Sequence, residues 1–244
     1  MAAVSGIAGS NHNTSFVDHR LRRRIPPYRL RRPTTVALAP SQLPGYRLLD
    51  RLLSRQARRA AKRDFLFDVL PRGGVVIEVG VFDGDFSERI LALNEPRKLH
   101  LVDPWFTKAD GTLFDGPTQQ FNSADQASAT LEAQYQHVTG RFAAEIAAGR
   151  IEIHRTLSHL AAPQFPDEHF DWIYVDASHF YEDVKVDLAA FWPKLKRGGY
   201  IAGDDYDRRG IWEHGVTRAV DEFVASGEPQ KIRMHNHQFL LRKR

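Results

Sequence analysis

The sequence predicts an α/β domain built on a doubly wound, mostly parallel, seven-stranded sheet with helices on both faces. Three observations predict it: apolar runs lack polar alternation, they alternate with helical stretches, and most end in an acidic residue or a glycine. VVIEVG (75–80) reads as the first strand and FSERILALN (86–94) as its helix. KLHLVDPW, Lys98 to Trp105, is the second strand, followed by a glycine-containing loop over 106–120 and helical material from about Ala124 to Ala148. RIEIHR (150–155) and DWIYVD (171–176) are the third and fourth strands. In YEDVKVDLAAFWPKLK, residues Val184, Leu188, Phe191 and Leu195 share one helix face, and Arg197-Gly198-Gly199 ends it. GYIAGDDY gives a fifth strand and GVTRAVDEFVASG a further helix. KIRMHNHQFLLRK closes the sheet as two strands around a tight turn near Asn236-His237.

Ahead of the first strand, Leu48, Leu49, Leu52, Leu53, Phe65, Phe67 and Leu70 predict a helix or helix pair over Tyr46 to Leu70. The segment before it differs in charge. Up to Leu70 there are 14 Lys/Arg against 4 Asp/Glu, a balance of +10, whereas the rest carries 20 against 26, a balance of −6. The expected organisation is a basic, partly disordered extension over 1–45 and one catalytic-size domain over 46–244. RLRRRIPPYRLRRP (20–33) reads as a solvated extension, with docking on an anionic surface, nucleic-acid contact or a targeting arm as its functional alternatives. No zinc-finger spacing or recognition helix accompanies the charge, which argues against nucleic acid as the partner.

The absence of cysteine excludes disulfides, thiol nucleophiles and cysteine-ligated metal sites. No run of eighteen apolar residues predicts a membrane span, and the first residues lack a secretion-signal pattern, so a cytoplasmic location is expected.

The loop GVFDGD after the first strand lacks the G-x-G-x-x-G spacing, and it has no Lys-Ser/Thr of a phosphate-binding loop. Its acidity would repel a pyrophosphate. It suits a ligand with a cationic amino-acid end and a ribose; as an ordinary strand-to-helix turn it would instead use Asp85 or Ser87 as a helix cap. Asp103, ending the second strand 25 residues after Glu78, is placed to take ribose hydroxyls. Glu78, Asp103, Asp176 and the pair Asp204-Asp205 put acidic strand ends on one rim.

EVGVFDGDFS, LVDPW and DWIYVDASH followed by LKRGGYIAGDDY resemble the motifs of the class I S-adenosylmethionine-dependent methyltransferases over roughly Phe65 to Lys243. The resemblance implies a Rossmann-like fold with S-adenosylmethionine as cofactor. Glu78 and Gly80 would lie under its methionine part, with Asp83, Gly84 and Ser87 nearby, Asp103 on the ribose, and Thr156 and Ser158 near the adenine. VDASHFYEDVKVDLAAFWPKLKRGGYIAGDDY is most similar to a bacterial branch of metal-dependent sugar O-methyltransferases and cephalosporin-hydroxylase-like proteins. That likeness implies Mg²⁺ held by Asp176, Asp204 and Asp205. Converging carboxylates repel unless neutralised, and all-oxygen ligation suits Mg²⁺; the bland alternative is that Asp204 caps the turn while Asp205 faces water.

His179, three residues past Asp176, is the expected general base. The sugar-methylating relatives have an aspartate two residues after the first ligand; Ser178 stands there, a departure that leaves substrate orientation as the other role of His179. Tyr206, Asp207, His235 and His237 are secondary candidates, and Trp105, Phe106 and Phe114 either wall a pocket or pack. Phe180 and Tyr181, beside His179, read as packing residues, with Tyr181 lying over the cation as the alternative.

The expected activity is Mg²⁺-assisted O-methylation of a saccharide or sugar-bearing small molecule. Catechol-like or polyphenolic substrates, RNA methylation through the basic arm, and a binding role without turnover are the alternatives. The fourth strand carries no N/D-P-P-Y/F motif of amino methylation. The expected partner is a small molecule or oligosaccharide, and homodimerisation follows from the resemblance alone.

Overall fold

The computed structural model describes residues 62–107, 123–208, 210 and 212–244. The basic extension, the predicted helices before residue 62 and Phe114 lie outside them.

Seven strands form one sheet: β1 (Val75–Val79), β2 (Lys98–Val102), β3 (Ile151–His154), β4 (Phe170–Val175), β5 (Leu195–Gly203), β6 (Pro229–His235) and β7 (Gln238–Lys243). Their spatial order is β3-β2-β1-β4-β5-β7-β6. The first five are mutually parallel, while β7 runs antiparallel to both β5 and β6. The expected seven-stranded, mostly parallel architecture is therefore the observed one. The reversal between β1 and its neighbours β2 and β4 makes the switch point at which α/β sheets bind ligands.

Helices α1 (Asp85–Arg89), α2 (Ala124–Arg141), α3 (Ala143–Ala147), α4 (Ser158–Ala161), α5 (Tyr181–Phe191) and α6 (Gly215–Ala225) complete the described elements, with 3₁₀ turns at Asp64–Asp68 and Ala162–Gln164. Strand periodicity sorts the core into two layers. Val75, Ile77 and Val79 join Val184, Leu188 and Phe191 of α5 and Val216, Ala219 and Val220 of α6. On the opposite face Val76, Leu99, Leu101, Trp172 and Tyr174 join Leu66, Phe67, Phe86, Val138 and Phe142.

Several boundaries differ from the sequence reading. The first helix continues as a π-helical turn, Ile90–Asn94, and ends at Glu95 in the left-handed conformation. The long helix breaks at Phe142, which separates α2 from α3. Leu195 belongs to β5 rather than to the preceding helix, and Gly198-Gly199 lie within that strand beside a register shift. Glycines in a strand mark a bulge as readily as they mark a helix end. The closing hairpin turns at Asn236 and His237, whose φ values of 51° and 64° suit a primed turn.

Candidate functional site

Alternation along β1 turns Glu78 towards the Phe67–Phe86 layer, where it is 1% exposed. Ser87 of α1 donates a hydrogen bond to its carboxylate at 2.5 Å. Burial raises the Glu78 pKa to about 8, so it is largely protonated at neutrality. Ser87 is thus bound to Glu78 and does not cap the helix: the cap position is Gly84, with no side-chain hydrogen bond. Gly80 has φ 89°, and a Cβ there would stand 2.0 Å from the Asp176 carbonyl oxygen. The β1 loop and the end of β4 touch at that point, which only glycine permits.

The acidity of the opening loop has an internal partner. Arg141 of α2 donates to the Asp83 carbonyl at 2.9 Å, to Asp85 at 2.8 Å and to Glu88 at 2.7 Å. Asp103 serves the loop from the other side. Its Oδ2 accepts the amides of Val81 (2.8 Å) and Phe82 (3.0 Å), and its Oδ1 that of Trp105 (3.0 Å). The Trp105 indole, buried in the core, donates to the Phe82 carbonyl at 2.9 Å, so Trp105 packs.

Asp176, His179, Asp204 and Asp205 converge beyond the ends of β4 and β5. The chain supplies positive charge between them. Arg63, just ahead of the 3₁₀ turn, donates to Asp176 at 2.7 Å and also bonds to Asp204. Its guanidinium lies 5.1 Å from the Phe86 ring centroid and 5.4 Å from that of Tyr174. Burial opposes its charge, but Tyr174, Asp176 and Asp204 outweigh that and raise its pKa.

His179 Nε2 is 2.6 Å from Asp205 Oδ2 and 3.8 Å from Asp176 Oδ1, and its ring lies against Trp212 at 4.8 Å. Burial pushes the imidazole pKa down, yet Asp176 and Asp205 together lift it to about 10. In this arrangement His179 is a cation at neutrality, not the poised base that its ordinary pKa suggests. Asp205, at φ 60°, also pairs with Arg208. Burial drives its carboxyl up, but His179 and Arg208 hold it below the usual range. Asp204 is raised, by burial first and by Asp176 next. Its Oδ1 accepts from the Asp205 amide at 2.7 Å and from Gln238, which in turn accepts from the Tyr174 hydroxyl at 2.6 Å.

The donor atoms of Asp176, His179 and Asp205 all lie within 4.8 Å of one another, a separation a single metal ion can bridge. Asp204 is not part of that set. The residues fit a divalent cation in part: two carboxylates and an imidazole, with Arg63 already on the oxygens that Asp176 and Asp204 would offer.

The remaining expected residues are more scattered. Thr156 donates its amide to the His154 carbonyl at 3.0 Å, beside the Asp103 amide on the same oxygen at 3.3 Å. Ser158 donates to Asp187 of α5, whose pKa burial raises to about 7. Tyr181 turns towards α6: its hydroxyl donates to Glu222 and Arg218 lies 3.7 Å over its ring. Tyr206 bonds to Asp221 at 2.9 Å and its amide to the His237 carbonyl at 2.8 Å, tying the loop after β5 to the hairpin turn. His235 stacks edge-on against Phe65, and the Asp207 amide donates to Thr217 at 2.8 Å. Phe106 is 37% exposed.

Arg63, Arg141, Arg208 and Gln238 were not singled out by the sequence. Arg63 sits in a basic stretch that reads as solvated surface, and its partners lie 113 and 141 residues away.

Sheet order, switch-point loop and acidic strand ends make a Rossmann-like α/β methyltransferase fold. A methyltransferase-domain family model matches residues 77–206, more than half of the chain, and the chain belongs to that family. Among solved structures, a protein of Clostridium thermocellum described as a candidate rRNA methylase is similar, with TM-score 0.52, 12% identity, and 78% of this chain and 98% of that one covered. A candidate caffeoyl-CoA O-methyltransferase of Staphylococcus aureus has TM-score 0.52 and 11% identity, covering 81% and 90%. A candidate S-adenosylmethionine-dependent methyltransferase of Methanococcus maripaludis has TM-score 0.52 and 14% identity, covering 81% and 91%. No curated protein matches the chain by sequence. No helix among the described residues is long and apolar enough to cross a membrane.

Proposed function

We propose that the protein transfers a methyl group from S-adenosylmethionine to a hydroxyl of a saccharide or sugar-bearing small molecule, as the sugar O-methyltransferase branch resembled by its sequence does. The observation that supports this most is the convergence of Asp176, His179, Asp204 and Asp205 beside the Gly80 loop. Bound S-adenosylmethionine supplies an electrophilic methyl, and a bound divalent cation supplies charge that acidifies a ligated hydroxyl.

The protein's own residues orient and neutralise. Gly80, Asp83 and Gly84 would border the amino-acid end of the cofactor with the buried Glu78–Ser87 pair beneath it, Asp103 would face the ribose, and Thr156 and Ser158 the adenine edge. Mg²⁺ would be held by Asp176 and Asp205 with Asp204 at its margin, which requires Arg63 and His179 to give up part of their hold. With an ion on Asp205, His179 would lose that partner and its Nε2 would be the group placed to accept the hydroxyl proton. The family region starts beyond the basic extension, which we place outside the catalytic domain.

The Arg63 bridge favours a second form of the same reaction. A guanidinium already balances Asp176 and Asp204, so it can take the place of the ion while the substrate is positioned by hydrogen bonds alone. Calorimetric titration of S-adenosylmethionine, with Mg²⁺ and after chelation, decides between them. A separate Mg²⁺ event lost in Asp205→Asn supports the metal-assisted form; cofactor binding with no ion event supports the arginine-balanced one. Absence of cofactor binding overturns both.

A further inference from the structure

A second group of metal-ligating side chains lies at the β2–β3 edge. The register of these parallel strands pairs His100 with Glu152 and Val102 with His154. Period-two alternation then puts His100, Glu152 and His154 on one face of the sheet. His100 Nδ1 is 3.0 Å from His154 Nε2. Glu152 approaches both, Oε2 at 3.9 Å from His100 and Oε1 at 3.8 Å from His154. The imidazoles are nearly closed to solvent, with side-chain exposures of 8% and 11%, whereas Glu152 is 51% exposed.

We propose that His100, His154 and Glu152 form a binding site for a late first-row divalent cation such as Zn²⁺. Two imidazoles and one carboxylate are the nitrogen–oxygen donor set such ions take. Two nitrogens bound to one tetrahedral zinc at about 2.0–2.1 Å stand roughly 3.3 Å apart, so the 3.0 Å pair needs only a small opening.

The surroundings prepare the donors. Burial lowers the pKa of His100 to about 4 and also lowers that of His154, which keeps both rings neutral and their lone pairs available. The rings of Phe165 and Phe170 flank His100 edge-on at 5.1 and 5.7 Å and fix its plane. Lys98 donates to Glu152 Oε2 at 2.9 Å, which orients the carboxylate and leaves Oε1 as the ligand oxygen. Exposure of Glu152 gives the ion an entry side. Without an ion, one imidazole must donate to the other; the ion replaces that bond with two coordinate bonds and a carboxylate. It would clamp β3, a four-residue edge strand, to β2.

The test uses the full chain after exhaustive chelation. Zn²⁺ is titrated calorimetrically into the wild type, Glu152→Gln and His154→Asn, with folding checked by circular dichroism. With the strand-end acids kept in excess Mg²⁺, one Zn²⁺ per chain is expected with wild type, weakened at least about tenfold in both variants, and the melting temperature rises less with Zn²⁺ in the variants than in wild type. The ring-nitrogen NMR signals of His100 and His154 should shift together in a single stoichiometric step, a readout that does not depend on any variant's folding. Ring signals unmoved by Zn²⁺, or binding that survives intact in either variant and so belongs to other histidines or to the acidic rim, overturns the proposal.

Discussion

The carboxyl ends of β4 and β5 and the β2–β3 edge both hold titratable groups away from water, and they do so in opposite ways. At the strand ends the acids are balanced by cations, with Arg63, His179 and Arg208 lying between the carboxylates. At the edge His100 and His154 stay neutral, because burial moves their pKa values further below neutrality. A charged network is costly to break at one member, since the partner is left buried and unbalanced; a neutral pair responds instead to pH.

The largest effect should come from removing the cation shared by two carboxylates. Arg63→Ala leaves Asp176 and Asp204 facing each other, and the loss should be about 3–5 kcal/mol by denaturant unfolding in chelator. Millimolar Mg²⁺ should restore part of it if the acids can hold an ion. An unchanged midpoint would mean that the bridge contributes nothing.

Glu78 sharpens the contrast, being an acid held by burial rather than by a cation. Its folded pKa of about 8 lies above the ordinary 4.5, so the folded state binds the extra proton. Stability is therefore fullest below pH 4.5 and declines as pH rises through 8. Relative to Glu78→Gln, wild type should lose about 1 kcal/mol per pH unit across that window. Parallel unfolding curves for the two proteins would refute a buried neutral acid.

His100 should show the opposite sign. Its folded pKa of about 4 lies below the ordinary 6.5, so the unfolded chain binds the extra proton between those values. The contribution is intact above pH 6.5 and is lost on acidification towards 4. In chelated protein the amides of the β2–β3 edge should show lower protection, relative to their intrinsic exchange rates, at pH 5 than at pH 7, and equal protection would contradict this. The smallest effect belongs to Glu88→Ala on the exposed side of Arg141, which should change stability by less than about 0.5 kcal/mol.

The strand–helix order, the switch-point loop and the acidic strand ends were legible because each rests on local pattern: apolar runs, glycine spacing and a terminal acid. What balances those acids was not. Arg63 and Gln238 reach Asp204 from opposite ends of the chain, and only the folded sheet brings them together. GVFDGD suggested a ligand-facing acidic loop, but Asp85 and Glu88 face Arg141 of a helix whose approach no spacing foretells. Leu195 misled for a different reason: its four-residue step from Phe191 matches a helix face, and β5 begins there because Pro193 stops the helix first. His100 and His154 drew no notice, since two histidines 54 residues apart become neighbours only through parallel pairing.

Asp103 has one more consequence. By accepting the amides of Val81, Phe82 and Trp105 it holds together the first residues that follow β1 and β2 before any ligand arrives. The conformational entropy of these residues is spent during folding, so a ligand reaching them meets backbone already in place.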